Sequence, residues 1–166
     1  MYPDIAQEFL TAEQLRPEGD LSFEALAQRL EAWDAEATPN LMRGLGRWIH
    51  FKTRGDLRAA MRAILGFEER FREPLWEAVG RFGKGYLHPL QGEHQIRAEV
   101  ELGLGQPGES YFLLGTGERI YHLFRIRPDK AQEFIESMPS EARPALHRGY
   151  DQARDLRLIE RAKSND

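Results

Sequence analysis

Residues 96–127 read Ile96-Arg-Ala-Glu-Val-Glu-Leu-Gly-Leu-Gly-Gln-Pro-Gly-Glu-Ser-Tyr-Phe-Leu-Leu-Gly-Thr-Gly-Glu-Arg-Ile-Tyr-His-Leu-Phe-Arg-Ile-Arg127. The period of their apolar residues decides the fold class. From Ile96 to Leu102 apolar and polar positions alternate, the pattern of a half-buried strand. Gly103-Leu-Gly-Gln-Pro-Gly108 supplies turn residues. Tyr111-Phe-Leu-Leu114 is apolar on both faces of an extended chain, as a covered central strand is. Gly115-Thr-Gly117 reads as a tight turn, and Arg119 to Arg127 as a third strand with Ile120, His122, Phe124 and Ile126 on one side. The expectation is a three-stranded antiparallel meander over about 95–127.

Outward from this stretch the period changes to that of helices. Towards the N-terminus, Asp4 to about Arg16 reads as a short helix or a pair of them, and Arg16-Pro-Glu-Gly-Asp20 as loop. Ser22 then caps a helix with Phe23, Leu26, Leu30 and Trp33 on one face. Thr38 and Pro39 stand as N-cap and first helical residue of the next. The apolar faces of 41–49 and 57–65 point in opposite directions on one straight helix, so a break is expected within Thr53-Arg-Gly-Asp56. Gly66 suits a C-cap, Pro74 a restart, and Gly83-Lys-Gly85 a stop. Beyond the meander, Pro128 opens a helix with Phe134, Ile135 and Met138, and a last helix runs to Lys163. The fold expected is therefore α+β in a single domain over 1–166. It has about four to six helices in 1–84, a loop and the β-meander in 85–127, and two C-terminal helices in 128–163.

Length and composition support a domain of this kind. A chain of 166 residues can bury about 70% of the surface its unfolded form exposes, enough for a core without metal or disulfide staples. With no Cys, thiol nucleophiles, thiolate metal sites and disulfides are excluded. No apolar run approaches the roughly 20 residues of a membrane span, and Met1-Tyr-Pro-Asp-Ile5 lacks the basic and apolar regions of a signal peptide. A cytoplasmic protein with no membrane partner is the expectation.

Charge is unevenly spread. Residues 1–40 hold nine acids and two Arg, whereas 41–84 hold ten basic and five acidic residues. Blocks of opposite sign either neutralise one another in the fold or leave the basic one for an anion. Arg81-Phe-Gly-Lys-Gly-Tyr-Leu-His88 mixes cations, aromatic rings and glycine, the ingredients of a phosphate-contacting loop. Arg58, Arg62, Arg81 and Lys84 are the nucleic-acid candidates of this block.

Catalytic motifs are missing. Gly103-Leu-Gly105-Gln-Pro-Gly108 has G-x-G-x-x-G spacing, but the segment after it reads as a strand and not as the helix a dinucleotide needs. There is no G-x-S-x-G elbow, Walker loop or H-E-x-x-H. His88, His94 and His122 are the only residues offered for a metal or a general base, since loop and sheet could bring them together. No cofactor is called for.

The function expected is that of a non-catalytic binding, adaptor or regulatory module engaging another protein or a second copy of itself. Tyr121 and Leu123, on the strand face opposite Ile120 and Phe124, are the candidate contacts. Nucleic-acid binding through the basic 43–84 segment is the first alternative, and an enzyme or metal site built from the three histidines the second.

Overall fold

The computed structural model describes residues 22–32, 38–82 and 89–163. Among them lie eight helices, α1 (Phe23–Ala32), α2 (Pro39–Lys52), α3 (Leu57–Ala63), α4 (Glu69–Phe82), α5 (Pro89–Gly103), α6 (Glu109–Leu123), α7 (Pro128–Glu136) and α8 (Arg143–Lys163). A 3-10 turn, Ile64–Gly66, continues α3. The helix expected at Asp4 to Arg16, the loop after it, Trp33, and Lys84 and His88 fall outside the described residues.

The expected α+β class is overturned. No strand occurs among the described residues, and the stretch assigned to the meander forms α5, α6 and the turns around them. Seven alternating residues satisfied two periods at once. Ile96, Val100 and Gly103 lie at i, i+4 and i+7, and all three are buried; Ala98 and Leu102, which a strand would have buried beside Ile96, are exposed. Tyr111-Phe-Leu-Leu114 is apolar on both sides because α6 has neighbours on both sides. Its core positions Phe112, Thr116 and Ile120 recur every four residues.

The main contacts join α2 to α4, α4 to α6 and α6 to α8, which makes a row of four helices. Small residues run across its middle. A Cβ on Gly46 would stand 2.7 Å from that of Ala78. A Cβ on Gly80 would overlap the Phe112 carbonyl oxygen, and one on Gly115 that of Glu77. Gly117 and Gly149 meet in the same way, against the carbonyl oxygens of Leu146 and Leu114. Residues two apart on a helix point about 200° apart. Gly115 and Gly117 therefore serve opposite neighbours, as do Ala78 and Gly80 on α4. The Gly-Thr-Gly expected as a tight turn is the centre of a helix clamped between two others.

Direction follows from the contacts. Along α4 and α6, Trp76 stacks on Tyr111 near one end and Arg81 reaches Glu118 near the other, so the two helices run parallel. Gly46 against Ala78 and the Arg47 guanidinium over the Phe82 ring climb α2 and α4 together. The intervening α3, α5 and α7 carry the chain back. Of these, α5 touches α3 and α6, and Arg97 on α5 donates to Ser137 Oγ at 2.8 Å just past α7. The core between row and returning helices is formed by side chains such as Leu45, Met61, Leu75, Val79, Val100 and Leu146. Repetition of a row helix and a returning helix is the architecture of a helical-pair array.

Local signals outside the meander fared differently. Ser22 Oγ accepts from Ala25 N at 3.1 Å and Thr38 Oγ1 from Leu41 N at 3.3 Å. The break at Thr53–Asp56 is present, with Asp56 capping α3 through Ala59 N at 3.0 Å. Pro128 opens α7. Pro74, expected to restart the chain, lies inside the continuous α4.

Candidate functional site

Four titratable side chains form a chain across the contact of α4 with α6. Glu77 and Arg81 are one helical turn apart, as are Glu118 and His122, so each pair shares a face of its helix. The Gly80–Gly115 contact draws the two faces together. Arg81 then donates from Nη2 to Glu77 Oε1 at 2.7 Å and from Nε to Glu118 Oε2 at 2.6 Å. His122 Nε2 stands 3.6 Å from Glu118 Oε1. Arg81 and the two carboxylates are largely shielded, while His122 is 41% exposed.

The two carboxyls are pushed in opposite directions. Burial, the largest influence, lifts Glu77 above its ordinary value; the Arg81 charge opposes this and the Glu118 carboxylate reinforces it. At Glu118 burial also acts upward and is the largest single influence, but His122 and Arg81 together outweigh it and hold the group below its ordinary value. A second contact lies nearer the N-terminal ends, one helical turn before Glu77 on α4 and two before Glu118 on α6. Tyr111 donates its hydroxyl hydrogen bond to Glu73, which raises the phenol above its ordinary value, and its ring stacks on Trp76 at 6.5 Å.

On the inner side of α6 the charge order is reversed. Arg119 is 5% exposed and donates from Nη2 to Glu99 Oε2 on α5, itself 9% exposed. Arg119 Nε and Nη1 are buried without a hydrogen-bond partner. Consecutive residues of α6, Glu118 and Arg119, thus tie it to α4 on one side and to α5 on the other.

Of the nucleic-acid candidates, Lys84 lies outside the described residues. Arg58 and Arg62 are exposed one turn apart on α3, whereas Arg81 is held by its two carboxylates. Of the histidines, His94 is exposed on α5 and His122 faces Glu118; no group of three or more His, Asp or Glu among the described residues is arranged to hold a metal ion. Tyr121 is 7% exposed, edge-on to Tyr150 of α8, and Leu123 is half-buried against the core, so the open sheet face that singled them out is absent. The buried Glu99–Arg119 pair escaped the sequence reading. Its signal was available: at helical period, Glu99 lies beside Val100 and Arg119 beside Ile120 on the apolar faces.

The set at α4–α6 offers carboxylate, guanidinium and imidazole groups already engaged with one another. No helix among the described residues is long and apolar enough to cross a membrane. No protein-family model, curated protein or solved structure matches the chain.

Proposed function

We propose that this is a cytoplasmic, non-catalytic binding module that engages another protein, with the outer part of α8 as its docking element. One observation supports this reading above the others. Ala153 is the last buried residue among the described side chains of α8, yet the helix continues to Lys163 and presents Leu156, Leu158 and Ile159 at 63%, 57% and 53% exposure. Leu156 and Ile159, three residues apart, share one face of this terminal row helix and give a partner hydrophobic surface at little ordering cost, while Leu158 points to another side. Helical-pair arrays present extended surfaces of this kind.

The test compares the full chain with the Leu156→Glu/Ile159→Glu variant. Both are used to capture partners from native lysate with and without nuclease, and both are sized by light scattering. A stoichiometric protein that survives nuclease and is lost with the variant supports the reading, as does a dimer that the variant dissociates. Partners that vanish with nuclease and are indifferent to α8 replace it with the nucleic-acid alternative, for which Arg58 and Arg62 are the first residues to change.

A further inference from the structure

Phe51 and Ile126 are the most exposed large apolar residues described, at 82% and 85%. Isolated apolar residues on a surface are ordinary; these two share a position in the fold. Phe51 lies in the last turn of α2, and Ile126 three residues past the end of α6. Since α2, α4 and α6 run the same way, both tips project from one edge of the row. They are two helix spacings apart, or roughly 16–20 Å.

Neither tip hangs on a loose segment. Thr53 N donates to Ile49 O at 3.0 Å and Gly55 N to His50 O at 2.9 Å, with Arg54 and Gly55 both in left-handed conformation. Past α6, Phe124 N donates to Ile120 O at 3.0 Å and Arg127 N to Phe124 O at 2.8 Å. Each tip is flanked by exposed cations, Arg54 beside Phe51, and Arg125 and Arg127 on either side of Ile126.

We propose that this edge rests on an anionic lipid surface, with Phe51 and Ile126 entering the headgroup boundary and Arg54, Arg125 and Arg127 meeting lipid phosphates. The charge is complementary to such a surface, and both kinds of contact add when a basic apolar edge meets anionic lipid. Two separate rigid tips on one edge suit a plane, which receives both at once. An aliphatic Ile gains little from nucleic acid, where an exposed ring would stack on a base. Nothing in this requires a membrane-spanning helix.

The experiment is cosedimentation of the full chain with phosphatidylcholine vesicles, with and without phosphatidylglycerol, alongside binding to a DNA duplex. Binding only when phosphatidylglycerol is present is expected. Phe51→Ser/Ile126→Ser and Arg125→Glu/Arg127→Glu should each weaken it at least about tenfold, which corresponds to 1.4 kcal/mol. Leu102→Ser should not. Leu102 is an exposed apolar residue next to the turn that leads into α6, and so lies at the opposite edge. All the substituted residues are exposed, and circular dichroism verifies that each variant is folded. No vesicle binding, binding indifferent to Phe51 and Ile126, or DNA binding that these cations support while vesicles are ignored overturns the proposal. The α8 variant Leu156→Glu/Ile159→Glu separates this edge from the protein-docking reading, because it should leave vesicle binding intact.

Discussion

Gly117 of α6 lies directly against Gly149 of α8. A Cβ on Gly117 would stand 3.0 Å from the Gly149 Cα and would overlap the Leu146 carbonyl oxygen, and a Cβ on Gly149 would overlap that of Leu114. With Gly80 on Gly115 the arrangement repeats between α4 and α6. Backbones this close exclude side chains at the crossing, and no rotamer relieves a clash at Cβ.

Gly117→Ala and Gly115→Ala should therefore push α6 away from one neighbour. Each should cost at least about 1–3 kcal/mol, the scale of overpacking in a closed core. Gly66→Ala is the matched comparison, since a Cβ there meets nothing within 4 Å. Urea unfolding of the three variants checks this. Equal midpoints for Gly66→Ala and Gly117→Ala would mean that the row is looser than its contacts imply.

These same glycines explain what was legible in the sequence. Ser22, Thr38, Asp56 and Pro128 mark helix starts through bonds made within four residues of chain, so their signals can be read locally. Gly115 and Gly117 owe their identity to helices whose contacting residues are 29 or more positions away. Locally they resemble a turn. The candidate site was half legible for a similar reason. Arg81 and His122 stood out as residue types, but for separate roles, and only the packing of α4 on α6 shows that Glu118 joins them.

Trp76 offers a second test of the packing. Its Nε1 donates to the Met61 carbonyl oxygen at 3.0 Å in a buried setting, which fastens α4 to α3. Trp76→Phe keeps most of the ring and leaves that carbonyl unsatisfied, a loss of about 1–3 kcal/mol. Thermal melting should show the drop with circular dichroism at low temperature unchanged.

The buried pair makes a stronger demand. Removing only the cation, in Arg119→Met, leaves Glu99 charged in the interior and should cost about 3–5 kcal/mol. Adding Glu99→Gln neutralises that carboxylate and should recover part of the loss. Non-additivity in the double-mutant cycle measures the coupling. Additive effects would show that the two residues act independently despite their contact.

At the α4–α6 chain, pH separates two carboxylates that are otherwise alike. Glu118 ionises more readily folded than unfolded, so it stabilises the fold above its unfolded pKa and this contribution is lost as pH falls through the lowered folded value. Glu118→Gln should therefore lower stability by about 1–2 kcal/mol at neutral pH, an amount moderated by partial solvent access. The gap to the parent should close under more acid conditions than an ordinary Glu would require. Glu77 has the opposite sign. Its ionised form is disfavoured in the fold, so lowering pH through the raised folded value and on towards the ordinary Glu value adds stability. Glu77→Gln should then be neutral or mildly stabilising at neutral pH, and any advantage should fade once the parent residue is protonated. Melting temperatures of the parent and both variants, from about pH 7 to about pH 3, give three curves that must diverge and then converge in this order. If Glu77→Gln destabilises as much as Glu118→Gln at neutral pH, Arg81 draws equally on both carboxylates and the asymmetry is wrong.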